Sequence, residues 1–549
     1  LMIVFLNREA RDRFDLSKED LEFLKEEEKK AEKSGNDDGE KAGKKKGKKD
    51  KKDSKEEKAD KEKPIVVELD GIETRIRRLT PYSADYVDAI GSADGETIYY
   101  VVSFGDDYML YKLPVREQEP EKVLSLGQSP AALSASADGK TIFATSGGKM
   151  KKLDGSKLKD IATSGRHTID LAREREAMFD YVAVEEGERF YTPDMHGIDW
   201  PAMTAAYRRF LPHINNNYDF AEMLSELLGE LNVSHTGGRY RPGASANADR
   251  TANLGLLYDL AYTGDGLKVD EVIVDGPFDK ASSKMAPGSV ITAVNGTAVT
   301  PATDLAGLLT DLAGHKTLVE FTTPSGEKVG EVVKPVSAGA VSDLMYKRWV
   351  RNRAADVERW SNGRLGYVHI EQMADDAFRP MYADLFGKYN NCEGVVVDIR
   401  WNGGGRMHED IEALLTGQKY LTQEIRGEET CDMPSRRWNK PSIMVMAEPC
   451  YSNAHGTPWV YKHQKIGKLV GMPVPGTMTS VNWVTLQDPT LVFGIPVIGY
   501  RTAEGTYLEN SQLEPDVKVV NTPEALTAGE DLQLKAAVET LLRDIDSKK

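Results

Sequence analysis

The stretch Gly394-Val-Val-Val-Asp-Ile-Arg400-Trp-Asn-Gly-Gly-Gly405 decides the fold expected for this chain. Its apolar first half is typical of a strand that is buried on both faces of a parallel sheet. The glycines that follow leave backbone N–H groups unobstructed by Cβ atoms, so the loop can surround a negative charge. The Gly-Lys-Ser/Thr ending of a phosphate-binding loop is missing. The pattern therefore favours an oxyanion hole, with a tight turn that binds nothing as the alternative.

Similar strand patterns lie on either side, at Arg364–Ile370 and Ser442–Ala447, and each is followed by a turn or helix pattern. Residues 338–549 are therefore expected to form an α/β domain. After the later strand the chain reads Pro449-Cys-Tyr-Ser452-Asn-Ala-His455. A serine at a bend between strand and helix can be exposed above a helix N-terminus, although such a serine is more often only a helix cap. Ser452 is thus a candidate nucleophile, with the Asn453 N–H beside it.

Two further segments supply a candidate base and a carboxylate. Leu231-Asn-Val-Ser-His-Thr-Gly-Gly238 presents His235 on a loop beside Ser234. Gly505-Thr-Tyr-Leu-Glu-Asn-Ser-Gln-Leu-Glu-Pro-Asp516 carries Glu509 after a short strand pattern. A base needs a carboxylate to orient it, which is the reason for pairing these segments. A single histidine is more often structural, so neither motif is decisive alone.

The rest of the chain predicts several additional domains. Helical spacing occurs in Ala202–Leu211 and Phe220–Leu231, whereas residues 251–337 predict a small β-rich module with a helix at Thr303–Leu312. Ser92-Ala-Asp-Gly-Glu-Thr-Ile98 returns 44 positions later as Ser136-Ala-Asp-Gly-Lys-Thr-Ile142. That offset fits the blade repeat of a β-propeller, with Asp-Gly at a hairpin turn. Two repeats cannot close a propeller, so further blades are expected upstream.

Composition limits the partners. The 549 residues suggest about three to four domains. A net charge of −16 argues against nucleic acid as the main partner, and no apolar run is long enough to predict a membrane span. The three cysteines, Cys392, Cys431 and Cys450, form no disulfide framework. The charged run Lys41–Asp50 is expected to be disordered, and Leu1–Leu6 is expected to be a strand rather than a signal peptide.

These motifs, in this order, resemble the tail-processing peptidase clan. Within the clan, Ser-His-Thr-Gly, the β-rich module and the propeller repeats resemble the tricorn protease branch. The module also resembles a PDZ domain through Pro287-Gly-Ser-Val-Ile-Thr-Ala-Val-Asn-Gly296, and Asn253-Leu-Gly-Leu-Leu257 stands where such a domain binds a peptide carboxylate. That likeness implies capture of peptide ends, with a packing module that binds no ligand as an equal alternative.

The resemblance implies a multidomain α/β and β protein. Its parts would be a truncated strand and charged insert at 1–63, partial β-propeller blades at 64–165, a helical catalytic subdomain at 166–250, the PDZ-like domain at 251–337 and a ClpP/crotonase-like α/β serine peptidase core at 338–549. It also implies peptide substrates, a homo-oligomer and no cofactor. A cytoplasmic location is expected, or a periplasmic one if an export signal lies upstream.

The resemblance assigns a role to each site residue. Ser452 would be the nucleophile and His235 its base, while Ser234 would link His235 to Glu509. The N–H groups of Gly404 and Asn453 would form the oxyanion hole. In tricorn protease the residue after the nucleophile is acidic and selects a basic side chain before the cut. Asn453 is neutral, so a weaker preference for lysine or arginine is expected. A related branch uses a Ser–Lys pair, but no lysine follows Leu469-Val-Gly-Met-Pro-Val-Pro-Gly476 at the expected place.

Three other functions have weaker support in the sequence. Cys450 and His455 could serve a cysteine peptidase, but residues so close in sequence rarely face each other across a site. His408-Glu-Asp410 is more typical of a solvated helix face than of a metal site, and no His-Glu-x-x-His is present. The strongest rival is a peptide-binding scaffold that keeps the fold without the chemistry.

Overall fold

The structure is a computed structural model that describes residues 1–35, 65–105, 107–245 and 247–547. The chain divides into two compact units, Leu1–Thr168 and Ile169–Lys549. The run Lys41–Asp50 lies outside the described residues, so its expected disorder stays a prediction. Within the described ranges, no helix combines the length and apolarity needed to cross a bilayer.

The first unit contains mostly antiparallel strands. Its elements are β1 (Met2–Val4), α1 (Arg8–Phe14), α2 (Lys18–Gly35), β2 (Ile76–Arg78), β3 (Asp85–Gly91), β4 (Thr97–Phe104), β5 (Asp107–Pro114), β6 (Glu121–Gly127), β7 (Ala132–Ala135), β8 (Ile142–Ser146), β9 (Lys149–Asp154) and β10 (Lys157–Asp160). Strands β3 to β6 form one four-stranded sheet in sequential order, and β7 to β10 form a second.

The internal repeat forms equivalent hairpin turns in these two sheets. The Ser92 hydroxyl donates to Asp94 at 2.5 Å between β3 and β4, and the Ser136 hydroxyl donates to Asp138 at 2.6 Å between β7 and β8. The hairpins expected from the repeated Asp-Gly are therefore confirmed. Two successive four-stranded sheets are compatible with blades, but the β-propeller itself stays a prediction.

The described residues of the second unit form helices and four sheets. Its elements are α3 (Leu171–Arg189), α4 (Trp200–Arg208), α5 (Asn217–Gly229), β11 (Gly237–Tyr240), β12 (Leu256–Tyr258), β13 (Leu267–Val272), β14 (Val290–Val294), β15 (Thr297–Ala298), α6 (Leu305–Leu308), β16 (Thr317–Thr322), β17 (Lys328–Val333), α7 (Ala338–Ser361), β18 (Leu365–His369), α8 (Asp375–Phe386), β19 (Gly394–Asp398), α9 (His408–Leu415), β20 (Leu421–Ile425), β21 (Glu428–Met433), β22 (Ser442–Met446), α10 (Asn453–His463), β23 (Lys468–Gly471), β24 (Thr479–Thr485), β25 (Leu491–Gly499), β26 (Val517–Lys518), α11 (Pro523–Thr527) and α12 (Leu532–Asp546).

A five-stranded parallel sheet, in the order β18-β19-β22-β23-β26, is the centre of this unit. Side chains alternate between its faces along each strand. On β19, Val395 and Val397 pack on the face covered by α8, α9 and α10, whereas Val396 packs on the face covered by α7 and α12. Burial on both faces explains why the strand has no polar alternation. The mixed α/β architecture expected here is confirmed, and the domain bounds 338–549 stay a prediction.

A smaller antiparallel sheet, β11-β25-β24, packs against the helices that precede it. Phe493 and Ile495 on β25 share one core with Phe220 and Leu224 on α5, and α3 and α4 contribute to the same core. The helices expected at 202–211 and 220–231 are found as α4 and α5. This sheet positions the loop between α5 and β11, which carries Ser234 and His235.

The β-rich module at 251–337 contains β12 to β17 around its own core. The predicted helix at Thr303–Leu312 is wrong in length, because the helix spans only Leu305–Leu308. Asp311 has a positive φ of 58°, and its N–H donates to the Arg250 carbonyl, which turns the chain out of the helix. In Asn253–Leu257, the Gly255 N–H donates to Asn253 Oδ1 at 2.7 Å. The PDZ-like assignment and its peptide binding stay predictions.

A buried ion cluster lies at the carboxyl end of β19. Arg400 is completely buried and donates to both Asp398 and Asp531, with shortest distances of 2.6 Å and 2.9 Å. Its Nη1 also donates to Gln533 Oε1 at 3.2 Å. Every guanidinium nitrogen therefore has a carboxylate or amide acceptor. The cluster joins the start of the glycine loop to the N-terminus of α12.

Replacing Arg400 with methionine is expected to lower the free energy of unfolding by about 3–5 kcal/mol, because two buried carboxylates lose their cation. The matched control is Arg348→Met, which removes a partly exposed two-bond pair with Glu271 and should cost at most about 1 kcal/mol. Urea denaturation followed by tryptophan fluorescence measures both. Equal losses for the two variants would contradict the assigned importance of the buried cluster.

Candidate active site

Ser452 occupies the bend between β22 and α10. Its backbone has φ 58° and ψ −124°, a conformation that a residue with a side chain rarely adopts. The Ser452 N–H donates to Thr477 Oγ1 at 3.1 Å, which holds the bend from the loop after β23. The strained bend matches the geometry in which a nucleophilic serine is presented above a helix N-terminus.

The glycine loop lies directly against this bend. A Cβ on Gly404 would come within 2.5 Å of the Ser452 Cβ and 3.0 Å of the Asn453 nitrogen, and Gly404 has φ 97°. Only glycine fits there. The Gly404 N–H is not free, however, because it donates to Asn402 Oδ1 at 2.8 Å. The acceptor lies two residues earlier in the same loop, and the role of the Gly404 N–H in an oxyanion hole stays a prediction.

Asn453 begins α10, so its N–H has no partner within the helix. Among the described residues no other acceptor is bonded to it either. The side chain is almost fully buried, and its Oδ1 accepts from the N–H groups of Met407 and His408 at 2.9 Å and 3.1 Å. The amide thus caps α9. The weaker preference for lysine or arginine that neutral Asn453 implies stays a prediction.

Glu509, Ser234 and His235 form a continuous hydrogen-bonded chain. Glu509 is 6% exposed and accepts from the Ser234 N–H at 2.6 Å and from the Ser234 hydroxyl at 2.9 Å. The same hydroxyl lies 2.8 Å from His235 Nδ1. Residues 275 positions apart are therefore brought together, as the sequence motifs required.

This chain determines where the imidazole proton lies. The Ser234 hydroxyl has one proton, and it is donated to Glu509, so the hydroxyl can only accept from His235. Nδ1 therefore carries the hydrogen and Nε2 keeps its lone pair. Thr479 Oγ1 lies 3.1 Å from both the Ser234 hydroxyl and His235 Nδ1, and it supports the same arrangement.

Burial shifts the pKa of both titratable groups in this chain. Burial lowers the pKa of His235 to about 4, and the positive charge of Arg239 adds to the decrease. The imidazole is therefore neutral at pH 7, as a base must be. Burial raises the pKa of Glu509, while the two hydrogen bonds from Ser234 oppose the increase by stabilising the carboxylate.

Tyr451 joins the histidine loop to the serine bend. Its hydroxyl accepts from the His235 N–H at 2.7 Å, and the two rings lie 4.7 Å apart between centroids. The imidazole therefore lies beside the residue that precedes Ser452. In the structure no hydrogen bond joins the Ser452 hydroxyl to His235. Catalytic hydrogen bonds commonly tighten only when substrate binds.

The alternative cysteine site is not assembled. Cys450 is fully buried, its thiol donates to the Ile399 carbonyl at 3.2 Å, and burial raises its pKa to about 12. His455 is also fully buried, and neither ring nitrogen is hydrogen-bonded to any described residue. Burial lowers the pKa of His455 to about 4. The two side chains do not form a thiolate–imidazole pair.

His408 also has a structural hydrogen bond, because its Nδ1 lies 2.8 Å from the Asn453 amide nitrogen. Across the described ranges, histidine, cysteine and carboxylate side chains form no group of three suited to holding a metal ion.

Three residues of the site were not anticipated. Thr479 supports the relay, Thr477 holds the serine bend, and Tyr451 bonds the histidine loop. Tyr451 directly precedes the candidate nucleophile Ser452, so the sequence already implies that it lies near the site. Thr477 lies in the loop after β23 and Thr479 begins β24, and neither stands in a sequence with a catalytic pattern. The pairing of β24 with β25 brings Thr479 to the relay.

Comparison with known proteins supports the family resemblance that these motifs indicate. Residues 364–519 match peptidase family S41, and residues 171–229 match the tricorn protease C1 domain. The chain is 29% identical over 450 residues to tricorn protease homolog 1 of Streptomyces coelicolor. This alignment covers 78% of this chain and 41% of the relative. It is 24% identical over 514 residues to a putative tricorn-like protease C-terminal subunit of Sulfurisphaera tokodaii, covering 88% and 58%.

The fold is also that of a solved protein. A crystal structure of the tricorn protease matches 88% of this chain and 49% of its own length, with a TM-score of 0.77 and 19% identity. This chain spans about half the length of the relatives it matches. The resemblance to peptidase family S41 and the tricorn proteases that the motifs indicate is confirmed.

We expect the His235 ring to titrate well below pH 6.5, because burial disfavours its charged form. The ring should therefore remain neutral as the pH falls from 7 to about 5. Histidine ¹³C NMR spectra recorded over this range measure the midpoint, and the His235→Gln spectrum identifies the signal. Arg239→Gln should raise the midpoint, whereas Arg239→Lys, which keeps the charge, should raise it less. A midpoint at or above pH 6.5 would contradict the neutral base.

Proposed function

We propose that this chain, whose catalytic region resembles peptidase family S41 and the tricorn proteases, hydrolyses oligopeptides through an acyl-enzyme formed on Ser452. The observation that carries the proposal is the hydrogen-bonded chain from Glu509 through Ser234 to His235 Nδ1. It leaves Nε2 unprotonated on a ring that contacts the residue before Ser452.

In the first step the Ser452 hydroxyl oxygen attacks the peptide carbonyl carbon, and its proton passes to His235 Nε2. The imidazolium that forms is stabilised by Glu509 through the Ser234 hydroxyl. The Asn453 N–H binds the developing oxyanion. The Gly404 N–H is the second donor, and it exchanges its Asn402 acceptor for the oxyanion. Loss of one such donor typically costs on the order of 10²–10³ in rate.

The remaining steps reuse the same groups. Collapse of the tetrahedral intermediate breaks the C–N bond, and His235 returns the proton to the leaving amine. A water molecule then gives its proton to His235 and attacks the ester carbonyl. The second collapse breaks the C–O bond, releases the carboxylic acid and returns the proton to Ser452.

The substrate and assembly follow from the resemblance. Oligopeptides are the proposed substrates, and a homo-oligomer in the cytoplasm is the proposed state, with a periplasmic location as the alternative. The acidic balance of the whole chain supports neither nucleic acid nor an anionic membrane as a partner.

A fluorophosphonate probe is expected to label the protein at Ser452, because His235 activates that hydroxyl. Ser452→Ala should abolish labelling. The matched control is Ser342→Ala, which removes an exposed hydroxyl on α7 and should leave labelling unchanged.

Absence of labelling in the folded wild type would contradict the proposal and support the alternative of a peptide-binding scaffold. Labelling that persists in Ser452→Ala would assign the chemistry to another residue.

Glu509→Gln is expected to lower kcat by about 10²-fold or more with little change in KM, because the imidazolium loses its carboxylate. The amide can also turn its NH₂ toward the Ser234 hydroxyl and reverse the hydrogen bonds of the relay. Steady-state hydrolysis of a fluorogenic peptide gives both constants. Glu514→Gln, five residues away on the exposed surface, is the control. Equal kcat for the two variants would remove Glu509 from the relay.

A further inference from the structure

An open pocket of about 400 Å³ lies beside the glycine loop and outside the catalytic relay. Its lining consists of aromatic rings, one carboxylate and one arginine: Tyr346, Trp349, His369, Glu371, Arg400 and Trp401. Four of the six side chains are aromatic. Nothing in the proposed peptidase mechanism uses this pocket.

The rings are held in fixed orientations. Trp349 stands edge-to-face against Trp401 at 5.6 Å and against His369 at 4.9 Å between centroids. His369 Nε2 lies 3.1 Å from the Arg400 carbonyl, which can only accept, so Nε2 carries the proton. The Tyr346 hydroxyl then donates to Nδ1 at 2.8 Å. The walls are therefore preorganised before any ligand enters.

Trp401 is the exposed wall of the pocket. It is 57% exposed, and its φ is 61°, in the left-handed region that a bulky residue rarely adopts. The ring contacts Trp349 and Arg400, but more than half of its surface faces solvent. Such strain collects at binding sites, because the surrounding structure can maintain it there.

The charges favour a cation. Glu371 is exposed at the pocket, and no described residue forms an ion pair or hydrogen bond with it. Burial lowers the pKa of His369, so the ring adds no positive charge at neutral pH. The faces of tryptophan and tyrosine rings carry negative electrostatic potential and attract ammonium and guanidinium groups.

Arg400 does not make the pocket a site for an anionic ligand. Its guanidinium lies 5.6 Å from the Trp349 ring and 5.5 Å from the Trp401 ring, beneath the pocket. All its nitrogens are bonded to Asp398, Asp531 or Gln533, so it has no donor left for an anion. Two carboxylates also outweigh its single charge. An anionic ligand would meet Glu371 without any compensating bond.

The pocket is joined to the proposed active site through Asn402. Trp401 precedes Asn402, whose Oδ1 accepts from the Gly404 N–H and whose Nδ2 donates to the Ile370 carbonyl at 2.8 Å. Three residues span at most about 11 Å, so Trp401 lies within that distance of Gly404. An extended peptide advances about 3.3 Å per residue. The separation of Trp401 from Gly404 is therefore at most about four residues of an extended peptide.

We propose that Trp349, Trp401 and Tyr346, together with the Glu371 carboxylate, form an aromatic cage for a lysine or arginine side chain of the peptide. The cage is a binding subsite separate from the residue next to the scissile bond. The identity of its ligand as a peptide side chain rests on the proposed peptidase function.

The test measures binding in the Ser452→Ala protein, which needs no catalysis. Fluorescein-labelled alanine–serine oligopeptides carry one lysine at successive positions, and each is compared by anisotropy with the same peptide containing norleucine, which keeps the apolar stem without the charge. At one position lysine should bind about tenfold more tightly. Trimethyl-lysine should bind at least as well as lysine, because a cation over rings needs no hydrogen bond.

Two variants remove parts of the cage. Glu371→Gln and Trp401→Ala should each reduce the lysine-to-norleucine ratio by about threefold or more, and Trp401→Phe should keep part of it. Tyr420→Ala and Glu424→Gln remove an exposed ring and an exposed carboxylate from the β20–β21 hairpin and should leave the ratio unchanged.

Equal binding of lysine and norleucine peptides at every position, or no binding of either, would overturn the cage. Loss of binding with trimethyl-lysine would overturn the aromatic part. Failure of the probe to label Ser452, with the lysine preference intact, would instead refute the peptidase chemistry and leave the cage standing.

Discussion

The side chain of Asn402 is the contact on which the candidate site depends. Its Nδ2 bonds the carbonyl of Ile370 after β18, and its Oδ1 bonds the Gly404 N–H. Its own carbonyl accepts from the Tyr451 N–H at 3.0 Å, just before Ser452. The side chain and the carbonyl of this one buried residue thus connect loops from three neighbouring parallel strands. These loops meet because the carboxyl ends of parallel strands lie at the same edge of a sheet.

The close contact at Gly404 is a consequence of that connection. The glycine loop approaches the serine bend so tightly that a methyl group would overlap the Ser452 Cβ. Beneath the loop, the ion cluster of Arg400 with Asp398 and Asp531 holds the end of β19 against α12. Loop position is therefore determined by buried polar groups, whose geometry is directional, rather than by apolar packing alone.

The carboxyl edge of the parallel sheet has two different electrostatic environments. On one side the partly buried relay of His235, Ser234 and Glu509 keeps an uncharged base next to a carboxylate. On the other side, Trp401 and Glu371 present rings and a negative charge to solvent. Successive residues of one loop point to opposite sides, so Arg400 and Asn402 are buried while Trp401 between them is exposed. A single short segment can thus contribute to both the proposed chemistry and the proposed recognition.

The sequence by itself determined the parallel-sheet strands, the glycine loop, the serine bend and the order of the motifs, because apolar runs and glycines act locally. It also indicated that Ser234, His235 and Glu509 belong together, through the resemblance. Only the tertiary structure decided that Asn453 caps α9, that the Gly404 N–H already has an acceptor, and that Thr479 supports the relay. Those outcomes depend on directional hydrogen bonds between segments distant in sequence, such as Thr479 with Ser234, and local patterns carry no record of such contacts.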